Sequence, residues 1–303
     1  MITEYIIVST ARDEEKLIQL TLDSVIAQSI RPAEYIIVND GSKDSTGEII
    51  NKYSQLYPWI RTVDLADRGY YQYGSGIIQA FYAGLEKIDF KNYKVLVKLD
   101  CDLSFDKFYF ENLLRELSDN PELGIVSGQT YCKGKNNKLI WEDAPLDHTV
   151  GPSKVYRREC FEEINGLIVS LGWDHVDEVV ARMKGWRTKS YPAFQLLHHR
   201  SMGSRLGKLR GYVRHGRADY ITGYHPAYFF AKTVYRLFSP PFVIGSIASF
   251  WGFAMPFVLN KKRIVHRQFI KHYRKEQLRK LTQKKFYSLY LHKYKLSKPR
   301  EIS

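Results

Sequence analysis

Two acidic segments, each directly after a strand-like run of mostly apolar residues, constrain the fold of this chain more than any other feature. The run at 35–38 leads into Asn39-Asp40-Gly41, and the run at 95–99 leads into Asp100-Cys101-Asp102. Short apolar runs bounded by turn residues are typical of buried strands. Ligands of an open α/β sheet bind beyond the carboxyl ends of its strands. The sequence therefore predicts one binding site where carboxylates from two strand ends meet.

The order of the predicted elements favours a doubly wound α/β fold with a mostly parallel sheet. Segments with apolar residues at helical spacing alternate with strand-like runs, which lie at 5–10, 35–38, 60–65 and 95–99. A β-α-β-α order of this kind indicates parallel strands joined by helices. We predict a catalytic domain over residues 1–210 and a separate C-terminal arm over residues 211–303.

The second acidic segment has the residue types that bind a divalent cation together with a phosphorylated ligand. Because Asp100 and Asp102 are two residues apart, one carboxylate can bind a cation while the other reaches a ribose hydroxyl or a metal-bound water. Hard cations such as Mg²⁺ bind carboxylate oxygens together with substrate phosphates. A cation in such a site stabilises negative charge on a departing diphosphate. We predict a site that uses Mg²⁺ or Mn²⁺.

Five segments, in their order along the chain, resemble the family 2 glycosyltransferases. They lie within residues 3–200, at 8–15, 38–46, 99–102, 151–166 and 172–178. The resemblance implies the GT-A fold, a Rossmann-like domain that binds a nucleotide-diphospho-sugar. It also implies an inverting transfer of the sugar to an acceptor hydroxyl, with UDP as the usual nucleotide.

The resemblance implies roles for residues around the nucleotide. Thr10 and Glu14 match positions where the loop after the first strand meets the base, and Asp40 matches the carboxylate that contacts the base. Asp67 and Arg68 precede a glycine-rich loop, in a region that lines the nucleotide pocket of similar enzymes. Arg68 is a candidate for contacting a phosphate, although an ordinary surface arginine fits its position equally well.

Other residues are implied on the diphosphate side of the donor. Asp100 matches the carboxylate on the ribose or metal side, and Asp102 matches the metal ligand. His198 follows a predicted strand and is a candidate further metal ligand, as a histidine after the acceptor region is in several GT-A enzymes. Arg200 and Arg205 are candidates for binding the diphosphate.

The catalytic base falls in the last matching segment, where this chain departs from the family pattern. The usual Glu-Asp pair is replaced by Trp173-Asp174, just before a helix predicted at 177–184. The distance to the next Gly-Trp pair favours Asp174 as the base. Asp177 is predicted as a second catalytic residue and Glu178 stays a rival, since a helix that starts early places both near Asp174. A base must reach the acceptor hydroxyl by a hydrogen bond.

The C-terminal arm combines an apolar segment with an excess of positive charge. Residues 242–259 contain no charged side chain, and residues 261–303 contain 15 Lys/Arg against 2 Asp/Glu. An apolar segment of this length is near the lower limit for a membrane-spanning helix. Because basic residues flank it on both sides, the positive-inside rule favours both flanks in the cytoplasm.

We therefore expect the arm to attach the protein to anionic lipids at the cytoplasmic face of a membrane. The attachment is monotopic or peripheral, through one or two embedded helices that bend at Ser239-Pro240-Pro241. In this prediction the aromatic segment 228–238 lies in the headgroup layer, and the basic tail adds attraction to anionic lipids. A buried core helix at 242–259 is the alternative. Nucleic-acid binding is not expected, because the apolar segment explains the basic tail better.

These features give one functional prediction and two alternatives. We predict an inverting glycosyltransferase whose acceptor is a hydroxyl of a lipid-linked saccharide or a cell-surface polysaccharide. The first alternative is a polyprenyl-phosphate glycosyl synthase, in which a lipid phosphate attacks and no strong base is needed. The second is a catalytically silent GT-A domain that acts as a membrane scaffold. The intact Asp40, Asp100 and Asp102 argue against the second alternative.

Overall fold

The structure is a computed structural model that describes residues 1–133, 139–142, 147–200, 207–237 and 242–282. It divides into two compact units, the first comprising residues 1–199 and the second beginning at Arg200. The predicted domain boundary, after residue 210, falls near the start of the first helix of the second unit. Arg205, the predicted bend at Ser239-Pro240-Pro241 and the tail beyond residue 282 lie outside the described residues.

Within the described residues of the first unit, one sheet contains nine strands. They are β1 (Tyr5–Ala11), β2 (Glu34–Asp40), β3 (Ile60–Leu65), β4 (Val95–Asp100), β5 (Leu103–Phe105), β6 (Leu123–Lys133), β7 (Leu139–Trp141), β8 (Ser153–Arg157) and β9 (Arg187–His198). The order across the sheet is β3-β2-β1-β4-β8-β6-β9-β5, and β7 pairs with β6. Strands β5, β7 and β8 run antiparallel to their neighbours. The predicted α/β fold with a mostly parallel sheet is confirmed.

Helices cover both faces of this sheet, because the side chains of a strand alternate between faces. They are α1 (Ile18–Ile26), α2 (Thr46–Leu56), α3 (Ser75–Leu85), α4 (Tyr109–Asp119), α5 (Arg158–Glu163) and α6 (Trp173–Met183). Tyr5 and Ile7 of β1 pack in one core with α1, α2 and α4. Ile6 and Val8 pack in a second core with α3, α5 and α6. This arrangement leaves the carboxyl ends of the parallel strands open for a ligand.

The second unit is helical over its described residues. It contains α7 (Lys208–Ile221), α8 (Pro226–Arg236), α9 (Phe242–Val258) and α10 (Arg267–Thr282). Gly216 of α7 lies against the backbone of Ser249, and Gly252 of α9 lies against the backbone of Val213, so a side chain at either glycine would collide. These two glycines let α7 and α9 pack at short range. None of the helices described here is long and apolar enough to cross a membrane.

The aromatic residues of α8 are placed differently from the prediction. Tyr228 and Phe229 are buried within the second unit, and Phe229 stacks on Phe253 with ring centroids 4.1 Å apart. Phe230 is exposed. The prediction that this aromatic segment lies as a whole in the headgroup layer is therefore wrong for Tyr228 and Phe229, because they contribute to the unit's own core.

Candidate active site

Parallel strands that end at one edge of the sheet bring the predicted donor residues together. Thr10, near the end of β1, is in register with Asp100 at the end of β4. Asp40 is the last residue of β2, and Asp67 and Arg68 come shortly after β3, which pairs in parallel with β2. The structure thus places these five residues at the carboxyl ends of four adjacent strands, where α/β proteins bind ligands.

Two arginines hold the carboxylates at the β2 and β3 ends. Arg68 forms an ion pair with the side chain of Asp40. Arg12 donates a hydrogen bond to the backbone oxygen of Asp40 (2.8 Å) and forms an ion pair with Asp67, which Lys43 also approaches at 3.1 Å. Burial raises the pKa of Asp40 above its ordinary value, although the charges of Arg68 and Arg12 oppose that shift. Asp40 is thereby oriented by the protein itself.

The loop after β1 is fixed to the loop after β2. Glu14 is buried, and its backbone N–H donates to Oγ1 of Thr46 at 2.7 Å. Gly41 follows β2 with a φ of +68°, and a Cβ there would lie 2.5 Å from Cα of Asp67. Only glycine tolerates both the positive φ and this close approach. Glu14 therefore lies in, and Asp40 directly precedes, a loop whose backbone is closely constrained.

Asp102 and His198 lie together, as the sequence predicts for two ligands of one cation. Strand β5 pairs with β9 so that Leu103 lies opposite His198, and the backbone N–H of His199 donates to the backbone oxygen of Asp102 at 2.9 Å. His198 Nε2 is 3.4 Å from Asp102 Oδ2. On its other side, His198 Nδ1 is 2.8 Å from Oε2 of Glu142.

The donor set at Asp102 and His198 fits a divalent cation. Burial disfavours a charged imidazole, but hydrogen bonds and negative charge from Asp102 and Glu142 raise the pKa of His198 to about 10. Two carboxylates therefore face the imidazole, one on each of its nitrogens. A carboxylate on the distal nitrogen fixes the orientation of a ligating histidine, which is the position of Glu142. Glu142 is not predictable from the local sequence, because it lies 56 residues from His198.

Two buried lysines lie over the ring of Trp173, the residue that replaces the usual acidic residue of the family pattern. Lys98 of β4 and Lys154 of β8 are register partners, and their Nζ atoms lie 5.1 and 5.4 Å from the ring centroid. Lys98 forms an ion pair with Asp100 and donates to the backbone oxygen of Gly151 at 3.1 Å. Lys98 therefore orients Asp100, the carboxylate that the sequence predicts on the donor side.

Asp174 lies in the first turn of α6, which begins at Trp173, four residues before the predicted start. Gly172 precedes the helix with a φ of +84°. The Asp174 side chain is about a third exposed, and its Oδ1 is 3.5 Å from His175 Nδ1. Burial alone would raise the pKa of Asp174, but the hydrogen bond and charge of His175 and the charges of Lys154 and His148 lower it. The carboxylate thus stays ionised.

Asp174 also belongs to a cluster with two histidines. The rings of His148 and His175 stack with centroids 4.4 Å apart. Ligand-type atoms of His148, Asp174 and His175 all lie within 4.8 Å of one another. These are residue types that bind cations as well as protons. His148 was not identified from the sequence, because nothing in its neighbourhood distinguishes it from a loop residue.

The other two predicted candidates on α6 are buried and engaged. Lys154 Nζ lies 2.9 and 2.8 Å from the two carboxylate oxygens of Asp177, and the Tyr156 hydroxyl donates to Asp177 Oδ2 at 2.6 Å. Glu178 accepts from the backbone N–H and hydroxyl of Thr149 and lies 3.0 Å from His148 Nδ1. Neither side chain faces solvent in the way that Asp174 does.

Comparison with known proteins identifies the class to which this fold and site belong. Residues 6–170 match the family Glycosyl transferase family 2. The chain belongs to this family and is a glycosyltransferase.

One curated relative and two solved structures show what else the chain is similar to. The poly-beta-1,6-N-acetyl-D-glucosamine synthase of Staphylococcus epidermidis is 29% identical over 127 residues, which are 42% of this chain and 28% of the relative. The chain thus matches less than a third of that relative's length. A mannosyltransferase from Pyrobaculum calidifontis, in complex with GDP-Man and Mn²⁺, aligns with a TM-score of 0.53 and 16% identity over 97% of this chain and 88% of that one.

A second solved structure has a similar fold. GalNAc-T7, with UDP, GalNAc and Mn²⁺, aligns with a TM-score of 0.57 and 14% identity, covering 93% of this chain and 58% of that one. At these identities the two structures show that the fold is shared. Both neighbours are complexes that contain Mn²⁺.

Proposed function

We propose that this glycosyltransferase transfers a sugar from a nucleoside-diphosphate sugar, with UDP as the nucleotide, to a hydroxyl of a lipid-linked saccharide or a polysaccharide. The observation that carries the proposal is that Gly151 is adjacent both to Lys98, the partner of Asp100, and to Asp174. Its backbone oxygen accepts from Lys98, which pairs with Asp100. A Cβ on Gly151 would lie 3.4 Å from Asp174 Oδ2. This short chain of contacts connects a predicted donor carboxylate to the predicted base.

In this proposal the strand-end residues bind the donor. Asp40, oriented by Arg12 and Arg68, accepts hydrogen bonds from the base, and Asp100, held by Lys98, accepts from the ribose. Asp102 and His198 would hold a divalent cation, Mg²⁺ or Mn²⁺. When bound, such a cation supplies positive charge to the diphosphate.

Asp174 acts as the base. It takes the proton of the acceptor hydroxyl as the hydroxyl oxygen bonds to the anomeric carbon, and the bond between that carbon and the diphosphate breaks. The attack comes from the face opposite the leaving group, so the configuration inverts. Of the three acidic candidates on α6, Asp174 has the side chain with access to solvent and hence to an acceptor. Asp177 and Glu178 support the helix through their buried contacts.

The proposed acceptor follows from the relatives and from the C-terminal arm. The curated relative is a synthase of a β-1,6-linked N-acetylglucosamine polymer, which supports a saccharide acceptor. The apolar and basic second unit favours an acceptor that is presented at a membrane. In the polyprenyl-phosphate alternative the acceptor is a lipid phosphate, which needs no base. Transfer that does not depend on Asp174 would therefore distinguish this alternative from the proposal.

Replacing Asp102 with alanine tests the proposed cation site. We expect cation-dependent sugar transfer to fall by a factor of at least about 100, because a donor to the metal and its charge are lost. The fold should remain, since the backbone hydrogen bond between His199 and Asp102 does not involve the removed side chain. Transfer from UDP-sugars is measured with radiolabelled donor, with and without added Mn²⁺, and the fold is checked by thermal unfolding.

Asp106→Ala is the matched control, because Asp106 is an exposed aspartate a few residues along the same segment. Its transfer rate should equal that of the unaltered protein. Full activity of Asp102→Ala, with the same dependence on Mn²⁺, would contradict the assignment of Asp102 as a metal ligand.

A further inference from the structure

Helix α9 presents large apolar side chains to the surface. Seven of them recur at helical spacing and are 39–76% exposed: Val243, Ile244, Ile247, Phe250, Trp251, Met255 and Val258. We call these seven side chains the outer face of α9. Their exposure contradicts the alternative that residues 242–259 form a buried core helix.

The opposite side of α9 carries the small and polar residues. Gly245, Ser246, Ser249, Gly252 and Pro256 are buried. The Ser246 hydroxyl donates to the backbone oxygen of Thr233 at 3.0 Å, which ties this side to α8. A helix on the surface of a soluble domain normally turns its apolar side inward. The polarity of α9 is reversed, with small residues packed inside and large apolar residues outside.

This reversal is costly if water covers the outer face. A large apolar side chain is more stable when it is removed from water, so each exposed side chain of the outer face forgoes that stabilisation. Contiguous apolar surface of this kind marks a site of interaction with a protein or a membrane. Because α7 and α8 occupy the inner side, no described residue of the second unit covers the outer face, and we look for an occupant elsewhere.

The charges around α9 favour anionic lipid as that occupant. Lys261, Lys262 and Arg263 follow the helix and are exposed. Helix α10 exposes a basic residue every fourth position, at Arg267, Lys271, Lys275 and Arg279. Between residues 242 and 282 the sequence has a single acidic residue, Glu276. Basic residues close to an anionic membrane are attracted to its surface, and the attraction grows with their number.

The length of α9 favours an orientation along the membrane surface. Its 17 residues span about 25 Å at 1.5 Å per residue. The hydrocarbon core of a bilayer is about 30 Å thick. A helix with one apolar side and a packed inner side lies in the interfacial plane, with its apolar side buried among the acyl chains.

We propose that the outer face of α9 inserts into one leaflet of an anionic membrane, with the helix lying along its surface and the following basic residues binding lipid headgroups. This inference makes the lipid surface a direct partner of the second unit. Membrane binding itself does not depend on the proposed function. Only its consequence does, namely that the enzyme acts on an acceptor presented at that surface.

Vesicle flotation with the full chain tests the proposal. Vesicles of phosphatidylcholine with and without phosphatidylglycerol are used as probes. We expect the protein to float with the anionic vesicles and to bind neutral ones more weakly. The variant Ile247→Ser/Phe250→Ser/Trp251→Ser should lower the partition coefficient by at least about tenfold, which corresponds to 1.4 kcal/mol.

The matched control replaces exposed apolar residues of the first unit, as Leu20→Ser/Leu56→Ser/Val169→Ser. This variant should bind vesicles as the unaltered protein does. Depth is tested with brominated acyl chains, which should quench Trp251, so that Trp251→Phe shows a smaller loss of fluorescence. Equal quenching of the unaltered protein and of Trp251→Phe would contradict insertion of the outer face.

Two further outcomes would overturn the proposal. One is vesicle binding that is unchanged in the α9 triple variant. The other is that the unaltered protein does not bind vesicles but forms a concentration-dependent dimer in analytical ultracentrifugation, and that the triple variant abolishes this dimer. The outer face would then bind a second copy of the chain. Donor binding measured on the triple variant separates the membrane proposal from the proposed function. Loss of membrane binding should leave the affinity for the nucleotide sugar unchanged.

Discussion

Replacing Asp174 with asparagine is expected to lower kcat for sugar transfer by about 10²–10⁴-fold, the usual contribution of a positioned base. Asparagine keeps the size and the hydrogen-bonding shape of the side chain but cannot accept the proton of the acceptor hydroxyl. Donor binding should be retained, because Asp40, Asp100 and Asp102 are unchanged. Steady-state transfer and calorimetric titration of the donor measure the two quantities separately.

Asp174→Glu is the control for this experiment, since it keeps a carboxylate at the start of α6 and should retain part of the activity. A kcat for Asp174→Asn close to that of the unaltered protein would contradict the assignment of Asp174 as the base. With a lipid-phosphate acceptor, that result would favour the polyprenyl-phosphate alternative. With a saccharide acceptor, it would direct attention to Asp177 and Glu178, the other candidates on α6.

Replacing Lys154 with methionine is expected to destabilise the protein by about 3–5 kcal/mol, because it leaves a buried carboxylate without its cation. Lys154 is fully buried and pairs with both oxygens of Asp177. Burial disfavours its charge, but Asp177, Glu178 and Asp174 raise its pKa, so the ammonium stays charged. It also donates to the backbone oxygen of Asp174 at 2.5 Å. Urea unfolding measures the loss.

Two further variants test whether the loss of stability comes from the buried ion pair between Lys154 and Asp177. Lys52→Met, at an exposed lysine on α2, should leave stability unchanged. The double variant Lys154→Met/Asp177→Asn removes both charges and should be more stable than Lys154→Met, since a neutral pair avoids the buried charge. Equal stability of Lys154→Met and the unaltered protein would contradict the structural role of this ion pair.

The part of the fold that sequence could predict is the part governed by local pattern. Strands β1, β2 and β4 are each built around a short, mostly apolar run, and β3 has the bounds that its sequence predicts. Asp40 and Asp100 lie at strand ends because the polar residue that stops each run also ends the buried strand. Their convergence at one edge then follows from parallel pairing.

Other parts depend on pairing between distant segments and carry no local signal. Strands β5 and β7 have three residues each, too few to show a period, and they exist because β9 and β6 pair with them. Lys154 lies in β8, a five-residue strand that also contains Ser153 and Arg157, and its burial depends on Asp177 in another element. Glu142 and His148 reach the site from segments whose sequence resembles ordinary loops.

Contacts of Trp173 and Lys154 explain why α6 starts earlier than its sequence predicts. The sequence favoured a helix from 177, yet the structure begins it at Trp173. The ring of Trp173 is packed under Lys98 and Lys154, and Lys154 binds the backbone oxygen of Asp174. These tertiary contacts thus stabilise a first helical turn that local helix propensity does not predict. Asp174 lies in that turn.

Calorimetric titration with UDP, GDP and their common sugar conjugates, with and without Mn²⁺ or Mg²⁺, tests the central claim most directly. We expect one nucleotide sugar to bind with a dependence on the cation, and Asp40→Ala to weaken that binding by about tenfold or more, the equivalent of 1.4 kcal/mol. Nucleotide binding that is the same in Asp40→Ala and independent of a cation, or no binding of any nucleotide in the presence of anionic vesicles, would contradict a donor site at the strand ends.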